Sequence, residues 1–510
     1  MVSCFLRCGF LRHAELVHNG LAEDDYEVAM ERRRSHVGYW LVDLQGRFEL
    51  RRKKAWRTFL KERIIYNMNL ILSTYLGAIF FFTGVFTWLV LPLLLRPHDD
   101  HSEVNCEMLQ ATGFGGFSPS RLAHWVFCTY FSVPQVSFLS WRFFMLLVSV
   151  LLMGSQLAIS LTNFISMRFA FPKHIMKLDF TKGVPDEHRT MVVVPTLLTS
   201  VDGAKQLASD LRARYLVNRD KNIYYALLTD FGDAPTEHTA KDALLLQTMT
   251  REINQLNAMY PPEAGSARTF MLFHRPRLWN PRENAWMGWE RKRGKLKDFT
   301  HLLRGGPPTP FSYIDADLSV LPTVQYVITL DTDTMLPCDA ARKLIGCAAH
   351  VLNKPLVNGT RTKVVAGYGL LQPRVALSIE GRSKSLYGYF NSWDSGLDPY
   401  TKYVSDVYQD IFYEGSFIGK GLYHVDAFEQ VFADRFPENR ILSHDLIEGC
   451  YVRSALVTDV ELVEEYPASY LTEASRRHRW VRGDWQIGAW LFPWVPSING
   501  YTRNPLSLLS

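Results

Sequence analysis

The 510-residue chain has little of what marks a disulfide framework, a zinc site or a nucleic-acid partner. Its seven cysteines are scattered and odd in number, and no two make a C-x-x-C pair. A cysteine scaffold or thiolate metal site is therefore excluded as the organising device. The formal net charge of +5 is small for this length. The Lys/Arg excess is local, and no nucleic-acid partner is expected. Internal repeats and low-complexity tracts are absent. Arg7, Arg12 and His13 interrupt the apolar run behind Met1, so no cleavable signal peptide is expected.

Charge is missing in one more place, and there it is informative. Asn67 to Leu95 carries no charged residue and is rich in Leu, Ile and Phe; about 20 such residues suffice to cross a bilayer. A second apolar span runs from Phe143 to Phe164. Before the first span lie Arg32-Arg33-Arg34 and Arg51-Arg52-Lys53-Lys54, flanking a strand-like Val37–Val42; after the second lie Arg168, Lys173 and Lys177. Basic flanks stay cytoplasmic, so the loop between the spans, with Asp99, Asp100, Glu103 and Glu107, is expected outside. That loop carries Cys106 and Cys128. The expected organisation is a basic cytoplasmic segment 1–66, a transmembrane helix 67–95, an external loop 96–139, a second transmembrane helix 140–166, a linker 167–190, a cytosolic α/β unit 191–490, and the start of an interfacial or membrane segment at 491–510.

The cytosolic part alternates between periods. Met191–Leu198 and Ile223–Asp230 are β-branched or aromatic runs that read as buried strands, with Ala204, Leu207, Leu211 and Tyr215 at helical spacing between them. A helical stretch at 238–259, a strand at Thr269–Phe273 and a basic loop and helix at 290–304 follow. This alternation predicts a parallel or mixed sheet covered by helices.

Tyr326–Leu330 reads as a further strand, and it runs into Asp331-Thr332-Asp333. Residues i and i+2 of an extended chain point the same way, so Asp331 and Asp333 can present oxygens to one hard cation. Ligands of open α/β sheets sit at the carboxyl ends of strands, where this pair falls. Asp230 and Asp233 end the second strand and could accept hydrogen bonds from a nucleoside. Lys292-Arg293-Gly294-Lys295 gathers cations at one loop, as a diphosphate requires. Asp445 stands in an apolar setting, between Ile441-Leu442 and Leu446-Ile447, that suits a general base. Arg476, Arg479 and Trp480, with Trp485 beyond, offer cations for a leaving phosphate and aromatic faces for sugar rings.

The order of these stretches resembles the processive membrane β-glycosyltransferases, which have the GT-A fold. Met191–Ser200, Leu227–Pro235, Lys292–Leu303, Glu414–Phe428 and Ser475–Gln486 look like the glycosyltransferase portion of the cyclic β-1,2-glucan synthases, glycosyltransferase family eighty-four. The last motif, usually Gln-x-x-Arg-Trp, here begins with Arg476, as that family leads one to expect. The resemblance implies a GT-A-like domain over 191–490 in a bacterial inner membrane, with its catalytic part cytoplasmic. It further implies that Asp230 and Asp233 contact the uridine of UDP-glucose and Lys292 its diphosphate. Asp331 and Asp333 would hold Mg²⁺ or Mn²⁺, and Asp445 would be the base of an inverting transfer to a β-glucan acceptor. Arg476, Arg479 and Trp480 would line the diphosphate and acceptor side, with Gly415, Ser416 and Phe417 as acceptor floor and Trp485 as an acceptor contact. Family members continue into further membrane spans and a phosphorylase-type trimming domain, so a separate trimming or cyclising polypeptide is an expected partner. A synthase of another β-glycan, or a truncated remnant without turnover, are the rival readings.

Overall fold

The structure, a computed structural model, describes residues 68–95, 141–169, 174–262, 267–378, 385–391, 408–433, 435–441 and 443–506. The basic segment 1–66 with its strand-like piece and the loop 96–139 with Cys106 and Cys128 lie outside the described residues. The chain divides into two compact units, and Ala55–Phe171 forms the smaller.

That smaller unit contains α1 (Met68–Leu95) and α2 (Trp141–Phe169), each long and apolar enough to cross a membrane. The two helices pack together; Tyr75 donates to the Asn163 side-chain oxygen at 2.6 Å. Thr83 and Ser149 donate to carbonyls one turn back, Ile79 and Met145, both at 2.8 Å. Those two hydroxyls, satisfied on their own helix, present no unpaired donor to an apolar surrounding.

The larger unit begins with β1 (Thr190–Leu198), α3 (Val201–Val217), β2 (Ile223–Phe231), α4 (Asp242–Met259) and β3 (Phe270–Arg275). A small hairpin, β4 (Leu278–Asn280) and β5 (Ala285–Met287), leads to α5 (Arg291–Leu303), β6 (Tyr313–Asp315) and β7 (Tyr326–Thr329). Then come α6 (Ala340–Ala349), β8 (Leu356–Val357), β9 (Val364–Ala366), β10 (Leu370–Leu377) and α7 (Leu386–Asn391). The chain continues through β11 (Gly421–His424), α8 (Val425–Phe432), α9 (Asp445–Val452), β12 (Ser454–Glu464) and α10 (Tyr470–Ile487), ending in the hairpin β13 (Trp494–Ser497) and β14 (Gly500–Arg503).

Eight strands form one sheet in the order β12-β10-β11-β7-β1-β2-β3-β6. β1, β2, β3 and β7 are mutually parallel, β11 is antiparallel to both β7 and β10, and β6 is antiparallel to β3. The sheet is therefore mixed, as the alternating pattern predicts. Along β1, Val192, Val194 and Leu198 face α3, α4 and α6, while Met191 and Val193 face α5, α8 and α9. Period-two alternation in a strand covered on both sides explains why its sequence is apolar throughout.

The α4 pattern was expected to begin at 238 but the helix starts at Asp242. The Asp242 carboxylate accepts from the Thr239 amide at 2.8 Å and from its hydroxyl at 2.7 Å, closing a turn instead. Arg277 clamps the same carboxylate from β3's far end. Serine caps fix two other starts: Ser200 accepts from Gly203 N ahead of α3, and Ser469 from Thr472 N ahead of α10.

Candidate active site

Chain direction opens a crevice at the carboxyl end of β7. From β1 the chain moves outward to β2 and β3, whereas β7 returns to the other side of β1, so the order reverses there. Such a switch point is where sheets of this kind leave room for a ligand. β7 pairs with β1 only from Thr190 to Val193, while β1 continues to Leu198. Val193 O still accepts from Leu330 N at 3.1 Å. Two residues on, Pro195 has the same side of its backbone turned to the space β7 has left, where a missing N–H costs no ladder bond.

The loop that leaves β7 is held on its backbone. Arg214, buried on α3, donates to the carbonyls of Thr332 at 2.7 Å and Thr334 at 2.9 Å, and more weakly to Asp331 at 3.4 Å. Met335 pairs antiparallel with Val463, and the Thr334 hydroxyl donates to Glu464 Oε1 at 2.8 Å. The end of β12 thus brings a third carboxylate to the loop.

Asp331 is the half-exposed centre of the charge network. Lys292 Nζ donates to its Oδ1 at 2.6 Å and to Gly419 O at 2.8 Å; Lys420 Nζ lies 3.3 Å from its Oδ2 and also pairs with Glu464. Burial alone would raise the Asp331 pKa, but the two ammonium groups hold it well below the usual carboxylate range. Burial likewise works against charge on Lys292 and Lys420, and the neighbouring carboxylates, Asp331 first, keep both pKa values raised. Asp333 is more open and faces Arg476 Nη2 at 3.7 Å; the Arg476 guanidinium sits 5.9 Å from the centre of the Trp480 ring. The first residue of the Arg-x-x-Arg-Trp stretch therefore meets the second acid of Asp-x-Asp.

Asp445 opens α9, and the residue in the cap position is His444, whose side chain makes no capping bond. Asp445 is thus not a helix cap. Its Oδ1 is buried and has no hydrogen-bond partner among the described residues. Gly419, at φ +86°, passes so close that a Cβ there would lie 2.6 Å from that oxygen. His444 Nδ1 lies 3.6 Å from Asp445 Oδ1 and 2.9 Å from Glu448 Oε1. Burial opposes protonation of His444, but Glu448 and Asp445 raise its pKa. Gly483 lets α10 press onto Ser443, where a Cβ would come within 2.2 Å of the serine Cβ. Close approach at that point carries Arg476, Arg479 and Trp480 over the site.

A cleft of about 1110 Å³ gathers Lys292, Asp331, Asp333, Phe417, Asp445, Arg476, Arg479 and Trp480 on one wall system. Other predicted residues stand elsewhere. Asp230 is 1% exposed, with both oxygens engaged by Arg275 at 3.0 Å and Lys295 Nζ 3.1 Å away, so nothing of it faces the cleft. Burial, Arg275 and Lys292 outweigh Asp230 and lower the Lys295 pKa to about 8. Asp233 is open and pairs with Arg291 at 2.9 Å. Gly415 is tied by its backbone to Ser454, Ser416 is half-buried, and Phe417 belongs to the core while its edge reaches the cleft. Trp485 is 82% exposed and lies off the cleft, because α10 turns its side away.

Sequence reasoning missed Arg214, Lys420, Glu464 and His444. Lys420 carried a signal, a lysine between Gly419 and Gly421 just after the expected acceptor floor. Glu464 carried none, since its place depends on the pairing of Met335 with Val463. The donor set suits a hard divalent cation: oxygens of Asp331, Asp333 and Glu464 lie within 4.8 Å of one another, with no sulfur or nitrogen in the group.

No family model matches the chain. A crystal structure of S. aureus TarS matches at 9% identity and a TM-score of 0.27, over 54% of this chain and 60% of that one, which is too slight to bear on the fold. The cyclic beta-(1,2)-glucan synthase NdvB of Rhizobium meliloti (strain 1021) is 48% identical over 340 residues, 66% of this chain. The match covers 12% of that protein's length. Over those 340 residues the chain is similar to that synthase, and the resemblance its motifs carry is to the glycosyltransferase part of the cyclic β-1,2-glucan synthases.

Proposed function

We propose that this chain transfers glucose from UDP-glucose to a growing β-1,2-glucan by an inverting, metal-dependent displacement. The observation that carries the proposal is the meeting of Lys292, Asp331, Asp333, Asp445 and Arg476 in one cleft, from segments far apart in sequence. Asp331 and Asp333, with Glu464 beside them, would hold Mg²⁺ or Mn²⁺, which when bound offsets the charge of the diphosphate. Lys292 would take a phosphate oxygen, and Arg476 and Arg479 would stabilise the charge that builds on the UDP leaving group. Asp233, open and paired with Arg291, which lines the cleft, is better placed than the sealed Asp230 to meet the nucleoside.

Asp445 would accept the proton of the attacking acceptor hydroxyl. Its partnerless oxygen is what a base requires, since a carboxylate already saturated by donors has no lone pair to offer. Phe417 and Trp480 would supply apolar faces for the sugar. α1 and α2 would seat the protein in a bacterial inner membrane with the sheet on the cytoplasmic side, where UDP-glucose is available.

Membranes carrying the chain, supplied with UDP-glucose and Mn²⁺ or Mg²⁺, are expected to yield a glucan whose linkage analysis reads β-1,2. Another linkage would redirect the proposal to a different β-glycan. Asp445→Asn is expected to keep UDP affinity and lose transfer by roughly 10²–10⁴-fold; turnover near that of the parent would remove Asp445 from the role of base.

A further inference from the structure

We infer that Lys420 is a resident cation of the Asp331 site, a positioning residue whose ammonium balances Asp331 and Glu464 until a divalent ion takes its place. The inference rests on the reading of Asp331 and Asp333 as cation ligands.

Three observations carry it. First, Lys420 Nζ is 3.3 Å from Asp331 Oδ2 and ion-paired with Glu464 Oε1, so it sits against two of the three carboxylates that converge there. Second, Glu464 is 1% exposed, and Lys420 is the one cation at ion-pair distance from it among the described residues. A buried carboxylate without a counter-charge is strongly destabilising, so something positive must stand there when no metal does. Third, the position is built by the backbone. β11 is antiparallel to β7 with Gly421 opposite Thr329, so the residue before Gly421 falls beside those that follow Thr329. Gly419 at φ +86° and Gly421 at φ +149° fix the chain on both sides, in conformations other residues rarely adopt.

Lys292 differs in kind. It approaches the other oxygen, Oδ1, from α5, and its second partner is a neutral carbonyl rather than another acid. It can move to a phosphate and leave no buried carboxylate unpaired. Lys420 cannot move unless a cation replaces it on Glu464. A divalent ion and the Lys420 ammonium would repel each other across a few ångströms, so the two are alternatives.

The test is titration of Mn²⁺ alone, without nucleotide, into the purified full chain, reading free Mn²⁺ by electron paramagnetic resonance. Lys420→Met is expected to bind Mn²⁺ more tightly by about tenfold or more, because a competing charge is removed while all three carboxylates remain. Glu464→Gln is expected to bind more weakly, because an anionic ligand becomes a neutral amide and Lys420 is left to Asp331 alone. Lys420→Arg keeps the charge and is expected to gain no affinity. Unchanged or weaker binding by Lys420→Met overturns the inference. If that variant fails to fold, parent-like binding by Glu464→Gln or tighter binding by Lys420→Arg overturns it instead. Asp333→Asn separates the two levels: unchanged Mn²⁺ affinity there defeats the cation site itself. Weakened binding there with no gain in Lys420→Met defeats only the role of Lys420.

Discussion

β2 and β7 flank β1, run parallel to it, and each brings an acid to the same edge of the sheet, yet Asp230 and Asp331 live in opposite circumstances. Asp230 is still inside its strand, directly opposite Arg275 on β3, and Arg275 grips both of its oxygens. Gly288 closes the remaining side so tightly that a Cβ there would stand 2.1 Å from Asp230 Oδ2. Asp331 lies beyond its strand, and its counter-ions come from α5 and from the segment entering β11. A counter-ion fixed on an adjacent strand makes an acid part of the core. One carried by a long side chain at an element's edge leaves the acid available for exchange with a ligand.

Paired substitutions would break that contrast most directly. Asp230→Asn leaves Arg275 and Lys295 facing a neutral group in the interior, and is expected to destabilise by about 3–5 kcal/mol. Asp331→Asn should cost far less stability and abolish cation-dependent UDP binding instead. Thermal unfolding and UDP titration of the two variants check this, and a stable Asp230→Asn that no longer binds UDP would reverse the assignment.

Arg214 sharpens the comparison from the backbone side. Replacing it with Met strands the buried carbonyl of Thr334 and frees the partly exposed one of Thr332, with an expected loss of about 1–3 kcal/mol. Because the same carbonyls shape the Asp-x-Asp loop, Mn²⁺ affinity should fall with stability. A loss of stability with cation binding intact would show that the loop keeps its shape without Arg214.

The most gradual effect is expected from pH at the locked end. His274, on β3 beside Asp230, is pushed by burial from 6.5 down to about 4, despite the opposing pull of Asp230. An unfolded chain takes up the proton near pH 6.5 and the folded one only near 4. The stability contributed by neutral His274 is therefore complete above about pH 6.5 and is lost as pH falls towards 4, at no more than about 1.4 kcal/mol per pH unit. Chemical denaturation at pH 7, 6 and 5 measures it, and His274→Gln should flatten the slope in that window.

Much of the fold was legible from pattern. β1, β2, β3 and β7 were each signalled by a β-branched or aromatic run, and α3 by Ala204, Leu207, Leu211 and Tyr215, all of which are buried. Local sequence suffices there because burial on two faces or one demands apolar residues at fixed periods. Pattern was weaker where side chains override it, as at Asp242, whose bonds to Thr239 delay the start of α4.

The candidate site was legible as an inventory of residue types and not as an arrangement. Sequence alone determined that Asp331 and Asp333 follow a strand, that Lys292 belongs to a cluster of cations, and that Arg476 precedes Trp480; the structure places the expected cation loop at the start of α5 and the Arg476 stretch on α10. Only the tertiary structure decided that Asp230 is sealed by Arg275 while Asp331 is open, and that Lys420 and Glu464 complete the charge network around it. The physical reason is that a carboxylate's role is set by the charges within a few ångströms of it. Strand order supplied those charges here, from residues as much as 133 positions away, as for Glu464 beside Asp331.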